Sequence, residues 1–122
     1  MLSILLIEDE DLLRDHIRAG LEGAGYRVRG AGSGNQGLRM FEAERPDLVV
    51  TDLVMDGGEG IEAILTIRRS DPGLPIVAMS GNPQYLHNSA QLGATHTLLK
   101  PFTIGQLLEI LADCRPAISV TG

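Results

Sequence analysis

The sequence predicts one α/β domain, a doubly wound parallel sheet with helices on both faces, and three observations point there. Five apolar runs of strand length alternate with five stretches of helical periodicity, the pattern of repeated β–α units. Most of these runs are continuous rather than alternating, as expected of parallel strands buried on both sides. The chain has 122 residues and 43% apolar content, enough for one ordinary core and not for two.

Ile4-Leu5-Leu6-Ile7 predicts the first strand. It leads through Glu8-Asp9-Glu10 into a helix whose apolar face is set by Leu13, Ile17, Leu21 and Ala24. Gly25 punctuates that helix, and Tyr26-Arg27-Val28-Arg29 alternates, which predicts an edge strand with one wet face. Ser33 and Gln36 have capping-box spacing and mark the start of the second helix. Pro46 lies past its end, and Leu48-Val49-Val50 forms the third strand. Ile61, Ile64 and Leu65, with Arg68 at the boundary, give the third helix its apolar face, and Pro72 follows it. Ile76-Val77-Ala78-Met79 is the fourth strand, and the polar, weakly patterned stretch from Pro83 to Leu92, before Gly93, is the fourth helix. Leu98-Leu99 is the fifth strand, expected to be buried on both sides, and Thr103 with Gln106 caps the fifth helix. A single domain over residues 1–122 is expected, with a linker or disordered tail at 115–122.

Sixteen acidic against ten scattered basic residues give a formal charge of −6, which argues against nucleic acid as a direct partner. Cys114 is the only cysteine, so an intrachain disulfide and a cysteine-rich zinc site are excluded and a reducing, cytoplasmic setting fits best. Its expected role is that of a small residue in helix packing. Leu2 to Ile7 is too short to span a membrane and lacks a basic flank or cleavage signal, so no membrane partner is expected. His16, His87 and His96 lie on three different elements and are expected at surface or boundary positions, with no zinc-ligand pattern.

In an open parallel sheet the ligand site lies beyond the carboxyl ends of the strands. Here those ends carry Glu8-Asp9-Glu10, Thr51-Asp52, Ser80-Gly81 and Lys100-Pro101. Carboxylates gathered this closely repel one another and need a cation among them. A few hard oxygen ligands suit magnesium, which keeps several waters and shares its shell with phosphate oxygens. A lysine and a hydroxyl at the same edge would hold those oxygens from the other side, and a carboxylate is itself a nucleophile able to form an acyl phosphate. The constellation therefore reads as phosphoryl transfer to an aspartate. Taken singly, the acidic cluster could be a favourable first turn of a helix, Asp52 a turn residue, Ser80 a loop hydroxyl and Lys100 a solvated strand end. Their occurrence together at four strand ends is what those readings explain badly.

These residues resemble the receiver domains of two-component response regulators, in the CheY-like group. The matching pieces are Ile-Glu-Asp-Glu at 7–10, Asp-Leu-Val-Met at 52–55 with Gly60 closing the loop, Met-Ser-Gly at 79–81 and Leu-Leu-Lys-Pro-Phe at 98–102. The resemblance implies a flavodoxin-like five-stranded sheet of order 2-1-3-4-5 with five helices. It also implies roles: Asp52 as phospho-acceptor, and Asp9, Asp52 and the Val54 backbone carbonyl as magnesium ligands with Glu8 acting through water. Lys100 and Ser80 would bind phosphoryl oxygens beside the backbone of Val54 and Gly81, and Ser80 with Thr97 would form the switch. The donor would be a histidine kinase or histidine phosphotransfer protein, and the partner a downstream protein or output domain. A homodimer through the helix 4, strand 5 and helix 5 face is a further expectation, and apart from its own phosphorylation and dephosphorylation such a domain is a signalling module rather than an enzyme.

The chain departs from the family pattern at three places. Thr97 stands where an aromatic residue is usual, Asp56 stands where proline is usual and is followed by Gly57-Gly58, and the fourth helix has few apolar anchors. Other readings compete. Gly32-Ser33-Gly34-Asn35-Gln36-Gly37 is a G-x-G-x-x-G after a strand, with Asp52 some way beyond, which taken alone suggests a dinucleotide site but leaves the other strand ends without a task. An aspartyl-phosphate hydrolase would need an acid two positions after the nucleophile, where this chain has Val54. A phosphorylation-independent interaction module of the same fold is the remaining alternative.

Overall fold

In a computed structural model, which describes residues 1–55 and 59–114, strands and helices alternate without exception. β1 (Ser3–Ile7), β2 (Arg27–Ala31), β3 (Leu48–Asp52), β4 (Ile76–Ser80) and β5 (His96–Leu99) are interleaved with α1 (Asp11–Gly23), α2 (Gly34–Ala43), α3 (Glu59–Ser70), α4 (Pro83–Leu92) and α5 (Ile104–Asp113). All pairings are parallel and the strand order is β2-β1-β3-β4-β5. This is the order expected from the sequence.

The continuous apolar strands are explained by the two layers they serve. Ile4 and Leu6 point into a cluster with Ile17 and Leu21 of α1 and Leu107 and Leu111 of α5. Leu5 and Ile7, one residue out of phase, point into the opposite cluster with Phe41 of α2, Ile64 and Ile67 of α3 and Leu86 of α4. Period-two geometry thus calls for apolar residues on both faces of a central strand, up to the carboxyl ends where Thr51, Asp52 and Ser80 are buried. β2 lies at one edge, where Tyr26 and Val28 are buried while Arg27 is exposed, as the alternation predicts.

Several details differ from the sequence reading. Ala24 is the exposed C-cap of α1 rather than part of its buried face, because the helix ends at Gly23. The inner face of α3 is Gly60, Ala63, Ile64 and Ile67, so Leu65 is only partly buried and the face is rotated toward the sheet. Leu99 is 49% exposed although Leu98 is buried, since β5 is the other edge strand and only one of its faces is covered. At α2 the Ser33 hydroxyl accepts from Gln36 N as expected, but the Gln36 side chain accepts from Gly32 N, whereas Thr103 and Gln106 form the complete reciprocal box. The third glycine of the G-x-G-x-x-G run has a packing explanation: a Cβ on Gly37 would lie 2.5 Å from Ile7 Cδ1. Cys114 is buried at the α5 C-cap, and its thiol is pushed up to about 11 by burial and by the neighbouring Asp113 carboxylate. The expectations for Asp56 and for the tail at 115–122 lie outside the described residues. Among the described residues no helix is long and apolar enough to cross a membrane.

Candidate functional site

The carboxyl ends of β1, β3 and β5 bring three of the singled-out side chains into direct contact. Lys100 Nζ lies 3.0 Å from Glu8 Oε1 and 3.2 Å from Asp52 Oδ2. Glu8 and Asp52 are almost fully buried, an arrangement that carboxylates tolerate only with a counter-charge and hydrogen-bond donors. Those donors are present. Glu10 N donates to Glu8 Oε2 at 3.2 Å, and Val54 N donates to Asp52 Oδ1 at 3.2 Å. Asp9 is exposed, yet one carboxylate oxygen from each of Glu8, Asp9 and Asp52 falls within 4.8 Å of the others.

Burial raises the Glu8 carboxyl above its ordinary value, and the hydrogen bonds from Lys100 and the Glu10 amide offset this only in part. For Lys100 burial acts in the lowering direction, but the hydrogen bond to Glu8 and the nearby Asp52 charge outweigh it and hold the ammonium above its ordinary value. One lysine therefore contacts two of the three clustered carboxylates. The set of hard oxygens, partly open to water through Asp9, fits a small divalent cation of the magnesium type. His16, His87 and His96 belong to no such cluster among the described residues.

The remaining residues sit at neighbouring strand ends. Ser80 is buried at the end of β4, where its hydroxyl accepts from Asn82 N at 3.0 Å and its carbonyl accepts from Lys100 N at 2.9 Å. Gly81 follows it and is exposed. Val54 is 54% exposed beside Asp52. Thr97 is half-buried on β5, with its Cα paired to Ala78, two residues before Ser80. The peptide between Lys100 and Pro101 is cis. Gly60 is required by close approach: a Cβ there would lie 2.5 Å from Asp52 O and 2.7 Å from Leu53 Cα, so α3 begins against the very strand end that carries Asp52.

The sequence reading missed two participants. Asn82 caps α4, its side chain accepting from Gln84 N and Tyr85 N, and the Asn-Pro pair at 82–83 was the available signal. Arg14 donates from Nη1 to the Glu8 main-chain carbonyl at 2.8 Å and from Nη2 to Asp11 Oδ1 at 2.7 Å. An arginine on the first turns of an acidic helix reads as a surface ion pair, so only the fold reveals this contact.

Comparison with known proteins bears on the family and the fold. The response regulator receiver domain matches residues 4–112. The transcriptional regulatory protein AfsQ1 of Streptomyces coelicolor is 42% identical over 111 residues, which is 89% of this chain and 48% of that protein. The KDP operon transcriptional regulatory protein KdpE of Escherichia coli is 37% identical over 109 residues, 88% of this chain and 48% of that one. The chain thus spans about half the length of these curated relatives. Among solved structures, the chemotaxis protein CheY4 of Vibrio cholerae superposes with a TM-score of 0.87 at 27% identity, covering 94% of this chain and 99% of that chain. A receiver domain protein from Clostridium thermocellum gives a TM-score of 0.88 at 27% identity over 93% of this chain and 94% of that one. The chain therefore belongs to the response regulator receiver domain family, the phosphorylation-accepting modules of two-component signalling.

Proposed function

We propose that Asp52 accepts a phosphoryl group from a histidine kinase or histidine phosphotransfer protein in a magnesium-dependent reaction, and that the change alters a partner-binding face. The observation that carries this reading is the Lys100 ammonium bridging the buried Glu8 and Asp52 carboxylates, with Asp9 completing an acidic cluster at the same strand ends. An Asp52 oxygen forms a bond to phosphorus as the donor's P–N bond breaks, and the electron pair of that bond leaves with the imidazole nitrogen. Asp9, Asp52 and the Val54 carbonyl would hold magnesium, with Glu8 acting through water, and bound magnesium supplies positive charge to the transferring phosphoryl oxygens. Lys100 neutralises the same oxygens once they displace its carboxylate contacts, and Ser80 donates its hydroxyl to one of them. The backbone amides of Val54 and Gly81 lie at the loop positions that would contact the remaining oxygens.

A carboxylate nucleophile, unlike a hydroxyl, calls for no general base. The exposed, apolar Val54 offers no acid or base for hydrolysing small phosphate esters, which supports a signalling module over a hydrolase. The downstream partner is a protein or an output domain, in keeping with relatives about twice this length. The exposed Tyr85, Leu92 and Leu99 of α4 and β5 are the apolar part of a face suited to that partner or to a homodimer completed by α5. A cytoplasmic location follows from this partnership. The test is intact mass after incubation with magnesium and a small phosphodonor: one added phosphoryl group is expected, and none on Asp52→Asn. Undiminished labelling of that variant would remove Asp52 from its role.

A further inference from the structure

We infer that Arg14 is a positioning residue for the acidic cluster: its guanidinium fixes the peptide joining Glu8 to Asp9 and so determines where the Asp9 carboxylate is presented. This rests on the magnesium reading above. Two independent features of the structure carry it. The first is the bond from Arg14 Nη1 to the Glu8 carbonyl at 2.8 Å, six residues back across the β1–α1 loop. That carbonyl belongs to the planar peptide unit whose other end is the Asp9 nitrogen, so its orientation sets where Asp9 N and Cα lie and thereby constrains the direction in which the Asp9 side chain can leave the backbone. On the near side Glu8 N is held by Ala31 O at 3.0 Å, and on the far side Glu10 N is held by Glu8 Oε2 at 3.2 Å. Arg14 supplies the remaining constraint on this turn. Asp11 Oδ1 accepts from its Nη2 at 2.7 Å, so the fork is held at both tips.

The second feature is the bed on which the arginine lies. A Cβ on Gly30 would come 3.2 Å from Arg14 Cδ, and a Cβ on Gly32 would come 3.4 Å from Nη1. Gly30 thus leaves the space in which the stem lies, and a side chain there would make Arg14 shift by a few tenths of an ångström, whereas the contact at Gly32 would be an ordinary one. The side chain is only 20% exposed, unlike a solvated surface arginine.

Charge and geometry make opposite predictions here. Arg14 is a cation close to a cation site, so by Coulomb's law alone its removal strengthens magnesium binding. If its hydrogen bond orders the ligand-bearing turn, its removal weakens binding, by about tenfold for loss of a partner that orients a ligand. The experiment is isothermal titration of the whole chain with magnesium chloride at fixed ionic strength, for the natural sequence, Arg14→Met and Gly30→Ala. Arg14→Met keeps a flexible apolar stem and loses the fork; Gly30→Ala keeps the charge and crowds the stem. Both are expected to weaken binding, Arg14→Met about tenfold and Gly30→Ala by less. Unchanged or tighter binding by a cooperatively unfolding Arg14→Met would overturn the inference while leaving the magnesium reading intact. Should Arg14→Met fail to fold, unchanged affinity in Gly30→Ala overturns it equally. No magnesium binding by the natural sequence would overturn the reading of the acidic cluster, and the positioning role with it.

Discussion

The β1–β3 end of the sheet and its β4–β5 margin are held with different firmness, although both contribute to one site. At β1 and β3 the acidic side chains are locked: Glu8 and Asp52 are buried, each accepts from a backbone amide, and Lys100 ties them together across 92 residues of chain. Gly60 lets α3 begin against the Asp52 backbone itself. At the margin, α4 buries only Leu86 and Ser89, and a single leucine contributes about 2 kcal/mol of anchoring. Tyr85, Leu92 and Leu99 stand 46%, 40% and 49% exposed along that side. The far end of α4 is nevertheless pinned, because Arg68 donates from Nε and Nη2 to Gly93 O at 3.1 and 2.7 Å. Chemistry that depends on charge placement sits where geometry is over-determined. The element placed to respond joins the site through Ser80 and the Asn82 cap at one end and is pinned by Arg68 at the other.

The sharpest way to break this contrast is to remove a charge from the firm side. Asp9→Ala takes away an exposed carboxylate that hardly contributes to packing, yet a direct ligand is worth more than an outer partner, whose loss costs about 10- to 100-fold. Magnesium affinity should therefore fall by about 100-fold or more, measured by titration, whereas Glu10→Ala should change it little. Equal effects would mean that the acidic cluster has been read in the wrong register. Lys100→Ala comes next. It leaves two buried carboxylates without their counter-charge, so thermal unfolding should shift down without magnesium and recover when magnesium is added. Phosphorylation by a small donor should slow on the order of 100-fold, the usual cost of removing one preorganised donor. An unfolded Lys100→Ala in magnesium would make the lysine structural instead.

A smaller effect distinguishes burial from function at Glu8. Its folded carboxyl titrates above the ordinary 4.5, so the fold favours the protonated form. The stability this contributes is present below pH 4.5 and is lost as pH rises through the raised value. At neutral pH the buried carboxylate is thus a cost in the absence of a metal. Glu8→Gln, whose amide oxygen can still accept from Lys100, should unfold at a higher temperature than the natural sequence near neutral pH without magnesium. The difference should shrink in calorimetry at about pH 3, well below the ordinary 4.5, where the natural glutamate is largely protonated in both states. Lys100, held above its ordinary 10.5, contributes a stability that is fully present throughout this window and so leaves its pH dependence to Glu8.

How much of this was legible in the sequence follows from the same contrast. The firm side announces itself through its residues jointly: each carboxylate or lysine taken singly has an ordinary local explanation, but their gathering at the ends of separate apolar strands does not, so Glu8, Asp9, Asp52 and Lys100 could be singled out before any fold was known. Strand order came only through the family resemblance, since continuous apolar runs say that strands are central without saying which neighbours they have. The edge position of β5 was missed at Leu99 because two consecutive leucines look equally buried. The inner face of α3 was set at Leu65 instead of Ile67, because Leu65 is in helical period with Ile61 just as Ile67 is with Ile64. Arg14 was invisible for a different reason. Its partner is a main-chain carbonyl and its bed is a pair of glycines on another strand, and neither leaves a side-chain pattern in the sequence.

The smallest expected effect lies on the loose side, at Thr97. This residue is half-buried on β5, in register with Ala78 and adjacent through β4 to the buried Ser80. A threonine has no ring to move into space behind Ser80, so a phosphorylated site has little packing difference to transmit through residue 97. The Ser80 hydroxyl is held by the Asn82 amide at 3.0 Å, and a short displacement would let it donate to a charged phosphoryl oxygen. Because Asn82 caps α4, that displacement loads the helix at that end while Arg68 holds Gly93 at the other. Phosphorylation should therefore move the segment from Ser80 to Leu92 modestly and leave residue 97 nearly still. Thr97→Tyr supplies a ring whose inward and outward positions differ in burial, which adds a differential free energy of about 1 kcal/mol between the two states. Amide exchange with and without a phosphate analogue should show a larger response of the Ser80 to Leu92 segment in that variant than in the natural sequence. A large shift centred on residue 97 in the natural sequence would show that this margin is coupled by a device other than the one described.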